Sequence, residues 1–348
     1  MERNGTDLCR GREGGVRGGS PAISALMFAA GVLGNAVALV LLEVRRRRRR
    51  ARSARGAAPA AGPGRLFPVL LTALLVTDLL GTCSVSPLVM AAYARNESLR
   101  ALGGSEVACQ HFGFAMTFLS LVTLALMLCM ALERCLSVSA PYFYARRLNA
   151  RCGYVALALV YASGALFCLA PFFRFGEYVQ YCPGTWCFVD MQTSHVYKNL
   201  YASCMLLMIA CTVLCNACVI YQLVQMYRRC TVHRGSARRL RDPARTRTLS
   251  EELEHLVLLV FMTISFLICS LPLVICVYIN SGKTLDRTAL LMLSWNPILH
   301  PWVFLLLSPP VPRLFWGAVC KMLRPRPLDN KLPMSPRLPT QPSSELQT

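Results

Sequence analysis

The chain is poor in charge. Only 16% of its 348 residues are Asp, Glu, Lys or Arg, where soluble domains carry about 25%. Acidic residues are scarcest, 17 against 37 basic ones, which leaves a formal charge of +20. With so little charge beside 55% hydrophobic residues, a disordered chain is excluded for most of the length and a soluble enzyme is disfavoured. Neither a metal nor another cofactor is expected. An internal repeat of the kind transporters carry is also missing. So is the order of charged segment, short apolar core and small-residue cleavage site that marks a signal peptide. The first apolar segment is therefore expected to act as the insertion signal.

What is present is segregation. Seven apolar segments stand in succession: Ala22–Leu42, Leu66–Ala94, Val107–Leu132, Gly153–Phe173, Asn199–Tyr227, Leu256–Ile279 and Thr288–Leu307. Each reaches the roughly 20 helical residues that cross about 30 Å of hydrocarbon. Backbone groups in lipid must be satisfied within the segment, so each is read as a helix. Arg45 to Arg50 form an unbroken basic run. Nucleic acid is the first partner such a run suggests, but it abuts an apolar segment and reads better as a membrane anchor on the cytoplasmic side. With the N-terminus outside, the inner segments hold 27 Lys and Arg and the outer ones 10. The positive-inside principle therefore places the N-terminus outside. The sequon Asn96-Glu97-Ser98 then falls outside as well, as does Asn4-Gly5-Thr6, so Asn4 and Asn96 are candidate glycosylation sites.

The expected organisation is an all-α membrane protein. Residues 1–20 are an extracellular tail and 21–308 a seven-helix bundle. Residues 309–323 form an amphipathic helix on the inner leaflet, with Val311, Leu314, Phe315, Val319 and Leu323 on its apolar face. Residues 324–348 are a Pro/Ser-rich cytoplasmic tail. Most of the 17 cysteines lie in apolar runs, where a thiol acts as a small hydrophobe. Cys9, Cys109, Cys182 and Cys187 fall in segments expected to be wet. Cys320 is a candidate for palmitoylation, an unmodified thiol being the alternative.

Ionisable residues inside a membrane are expensive and usually functional. Here they are Asp78 in the second segment, Glu133-Arg134 at the end of the third and His300 in the seventh. Such sparse placement suits a bundle that switches between packings better than a pump. At this point the chain resembles the rhodopsin-like G-protein-coupled receptors. The motifs are Gly34-Asn35 in the first segment, Leu74 and Asp78 in the second, Glu133-Arg134-Cys135 ending the third, Pro272 in the sixth and Pro301-Trp302-Val303-Phe304 in the seventh. A narrower similarity is to the prostanoid receptors. It rests on Gly184-Thr185-Trp186-Cys187-Phe188, and on Cys269-Ser270-Leu271-Pro272 where many receptors carry a Trp. Thr77-Asp78-Leu79-Leu80-Gly81-Thr82-Cys83, Phe114-Ala115-Met116-Thr117-Phe118 and Tyr178-Val179-Gln180-Tyr181-Cys182-Pro183 resemble the cAMP-raising prostaglandin E2 receptors, with prostacyclin and prostaglandin D receptors as alternatives.

The resemblance implies a plasma-membrane receptor, not an enzyme. Its ligand would be a prostanoid lipid, first of all prostaglandin E2, and its partner the stimulatory heterotrimeric G protein, with cAMP as the output. Membrane lipids are its surroundings and nucleic acid is not a partner. It implies a disulfide between Cys109 and Cys187, and a restraint of Arg134 by Glu133 that is released when the sixth helix swings out. It places the ligand carboxylate against Tyr93, Thr185 and a helix 7 arginine, with Ser24, Met27 and Ser294 lining the pocket. The arginine position is Leu291. Arg287, one turn earlier, is the candidate counter-ion; the alternative is that it caps the helix in water beside Asp286 or Glu177. The family's Asp before Pro301 is His300 here. It is read either as a hydrogen-bonded core histidine or as an Asp78 partner that, with Thr123 and Asn296, replaces a polar or cation-binding cluster. A receptor fold without lipid agonism, acting constitutively or as an interaction partner, is the alternative of a different class.

Overall fold

The computed structural model describes residues 16, 21–54, 66–102, 106–191, 195–232, 243–279 and 283–307. Among them are nine α-helices and one β-hairpin. The helices are α1 (Pro21–Ala54), α2 (Phe67–Arg95), α3 (Val107–Ser139), α4 (Pro141–Arg147), α5 (Ala150–Leu169), α6 (His195–Val232), α7 (Pro243–Ile279), α8 (Lys283–Leu293) and α9 (Asn296–Leu307). Strands β1 (Tyr178–Tyr181) and β2 (Trp186–Val189) pair antiparallel, Gln180 facing Cys187. Seven stretches of these helices are long and apolar enough to cross a membrane. They follow the seven apolar segments, so the seven-span reading holds.

Three local features depart from the reading. The seventh span is not one helix: it breaks at Ser294-Trp295 into α8 and α9. Pro297 explains the break, because a proline lacks an N–H and crowds the preceding turn. The loop after α5 contributes the hairpin, so the described chain is not all helix. α4 continues the chain from α3 with Pro141 in its first turn, where a missing N–H costs nothing. The segment expected to be a surface helix, 309–323, and both tails apart from Val16 lie outside the described residues, as do Asn4 and Cys320.

α3 is the axis. It packs against α2, α5, α6 and both strands, and its buried residues run from Cys109 to Ser137. By contrast α1 and α5 turn Leu26, Val40, Leu159 and Leu166 outward. That apolar exterior is what lipid accepts and water does not. Close approach at the axis needs small residues. A Cβ on Gly81 would lie 2.3 Å from Leu119, and one on Gly113 would lie 2.6 Å from the Tyr178 ring.

Candidate ligand cavity and conformational switch

One end of the bundle is closed by the hairpin. Cys109, in the first turn of α3, is bonded to Cys187 of β2, with Cα atoms 5.3 Å apart. Cys182 is disulfide-bonded as well. Tyr178 donates to the Cys168 carbonyl at 2.8 Å, and burial pushes its phenol above the ordinary value. It therefore stays a donor through neutral pH. Trp186 packs edge-on against Phe112, centroids 5.5 Å apart.

Beneath the hairpin lies a cavity of about 80 Å³. Its walls include Ser24 and Met27 of α1, Thr82 and Ser86 of α2, Phe112 and Met116 of α3, Trp186, and Ser294 at the α8–α9 break. Of the expected pocket residues, Ser24, Met27 and Ser294 are brought together. Tyr93 is half-buried against the core and is not among those walls. Thr185 is also outside them, fully buried, its hydroxyl oxygen without a partner. The Arg287 side chain lies outside the described residues. Thr82, Ser86, Phe112 and Trp186 were not anticipated as wall residues. The signal for the first two was their place four and eight residues after Asp78 on α2.

Deeper in the bundle, Asp78 and His300 meet. His300 Nδ1 is 2.9 Å from Asp78 Oδ2, and neither side chain touches solvent. Thr123 donates to Asp78 Oδ1 at 3.3 Å. The Phe266 ring lies parallel to the imidazole, 6.4 Å away. His300 Nε2 has no partner. Asn296 does not join the pair: its amide donates to Ser270 at 3.1 Å, because the α8–α9 break turns it toward α7. A second cavity, about 20 Å³, is walled by Thr123, Phe266 and Asn296 and shares Met116, Leu119 and Pro297 with the ligand cavity. The two sites are thus separated by a single layer of side chains.

At the opposite end Arg134 is clasped. Glu133 accepts from Arg134 Nε and Nη2, each at 2.5 Å, and from Tyr144 of α4. Arg134 is 1% exposed, and its guanidinium sits 5.2 Å over the Phe67 ring. Phe67 packs in turn on His255 of α7, centroids 4.5 Å apart. Charge, hydrogen bonds and rings here tie α2, α3, α4 and α7 into one closed end.

A seven-helix bundle with a disulfide-held hairpin over a cavity and a clasped arginine at its far end is the architecture of a membrane receptor. The family described as 7 transmembrane receptor (rhodopsin family) matches residues 66–304, and the chain belongs to it. Squid rhodopsin shares the fold, with a TM-score of 0.65 over 90% of both chains at 12% identity. Within the family the relatives are prostanoid receptors. The mouse prostaglandin E2 receptor EP2 subtype is 46% identical over 323 residues, covering 90% of this chain and 88% of the relative. The human prostaglandin E2 receptor EP2 subtype is 45% identical over 324 residues, covering 90% and 89%. The human prostacyclin receptor is 40% identical over 348 residues, covering 94% and 85%. The chain is therefore a prostanoid-type G-protein-coupled receptor, multi-pass in the plasma membrane and not an enzyme.

Proposed function

We propose that this receptor answers an E-type prostanoid, couples to the stimulatory G protein and raises cAMP, with its N-terminus outside the cell. The observation that carries the reading is the cavity under Trp186, walled by Ser24, Met27 and Ser294, in a chain 46% identical to a prostaglandin E2 receptor. Binding performs no chemistry. Ligand shifts an equilibrium by its differential affinity for two packings, and the clasp on Arg134 is the contact that differs between them. The Asp78–His300 pair is proposed as a second brake, because it joins α2 to α9 across the bundle core.

The prostacyclin reading is kept because the prostacyclin receptor covers more of this chain, 94% at 40% identity. A panel of prostanoids applied to cells expressing the chain, with cAMP as readout, separates the two. A response led by prostaglandin E2 supports the proposal, and one led by a prostacyclin analogue replaces it. Elevated cAMP with no response to any prostanoid supports the reading of a constitutive receptor.

A further inference from the structure

We infer that the cavity takes a lipid whose polar end is uncharged and carries an N–H or O–H, an amide or alcohol in place of a carboxylate; this rests on the prostanoid reading above. The argument concerns where hydroxyl protons point. A hydroxyl has one proton to donate and two lone pairs. Thr82 already donates to the Asp78 carbonyl at 2.7 Å. Ser294 already donates to the Leu291 carbonyl at 2.6 Å. Toward the cavity both therefore present lone pairs. Such atoms accept from a ligand O–H or N–H and repel a carboxylate, which is an acceptor only. Ser24 and Ser86 are the other wall hydroxyls, and Trp186 is the one wall residue with a side-chain N–H. That set satisfies a neutral polar group.

An anion needs more. A carboxylate taken from water requires a cation or several converging donors. Among the described residues, four cations stand at the hairpin end. Arg100 is paired with Glu106 at 2.8 Å, and Lys198 donates to the Met191 carbonyl. Arg95, in the last turn of α2, and Arg174, in the loop after α5, are exposed. None of the four walls the cavity. Leu291, at the position where the resemblance places an arginine, is aliphatic and adds no charge. The deeper void offers no help either, because its walls carry no cationic side chain.

The test compares prostaglandin E2 with its C1 amide and C1 primary alcohol, neither of which esterases convert to the acid. Competition binding on membranes and cAMP output are read for each. The neutral forms are expected to be at least tenfold more potent than the acid. Leu291→Arg is expected to reverse the order, raising potency of the acid at least tenfold while the neutral forms change less. Equal or greater potency of the acid at the parent receptor overturns the inference. If that potency is then lost in Arg287→Ala, the counter-ion is Arg287. Silence toward every form, with surface expression demonstrated, overturns the prostanoid reading and the inference with it, whereas preference for the acid overturns the inference alone.

Discussion

Asp78 and His300 depend on each other. Both are without solvent contact, and each is the other's buried polar partner. Removing one partner strands the other, and breaking a buried pair in this way typically costs about 3–5 kcal/mol. His300→Ala is thus expected to lower the thermal midpoint of the purified receptor in detergent sharply. Asp78→Asn combined with His300→Asn leaves no charge behind and is expected to recover most of that loss. If the single and double variants melt together with the parent, the pair does not hold the core. Arg134 is a residue of the same kind at the far end. Tyr144→Phe removes the hydrogen bond that Glu133 accepts from α4 and weakens the clasp, so basal cAMP is expected to rise. Arg134→Ala is expected to abolish signalling while agonist binding persists, checked by radioligand binding and cAMP output at matched surface expression.

Among the elements, the hairpin shows how little space the bundle leaves. Its β1 strand reaches α3 only because Gly113 has no side chain: a Cβ there would stand 2.6 Å from the Tyr178 ring. Gly113→Ala must push β1 away, and with it Trp186, the cavity's cover. Agonist affinity is expected to fall at least tenfold in saturation binding, with the Cys109–Cys187 bond intact by peptide mapping. Unchanged affinity would mean that the hairpin is free to shift. Much of this level was legible in the sequence. The helices were readable because lipid demands long apolar runs, and that demand overrides local propensity. The hairpin was not, because Tyr178–Tyr181 and Trp186–Val189 are four residues each, too short for alternation to register. The break between α8 and α9 had a visible cause in Pro297, but the apolar run continued across it. Among site residues, the resemblance placed Ser24, Met27 and Ser294 at the cavity, while Thr82, Ser86 and Trp186 needed the three-dimensional packing. Which way a hydroxyl donates has no sequence signature at all.

For the molecule as a whole, the question is how a ligand under the hairpin is felt at Arg134. The described contacts offer a chain of three steps. Met116, Leu119 and Pro297 wall both the ligand cavity and the small void beneath it. Phe266, across that void, lies against His300 on one side and belongs to α7 on the other. α7 then runs as one continuous helix to His255, which stacks on Phe67 beside Arg134. A ligand that shifts Met116 or Pro297 has a packed route to the α7 end. Rigid elements with two arrangements are what such coupling requires, and α7, with Pro272 inside it, is the element placed to pivot. The Phe67–His255 contact should then weigh against opening. An aromatic pair contributes about 0.5–1.5 kcal/mol beyond its buried area, which is roughly a 2- to 12-fold change in a two-state population. His255→Ala is therefore expected to raise basal cAMP by a few-fold while leaving the maximal agonist response in place. Spin labels on the α3 and α7 ends near Arg134 should report a larger separation in the variant without agonist. If basal cAMP and the label distance both match the parent, the closed end is held by the Glu133–Arg134 clasp alone, and α7 follows it instead of leading.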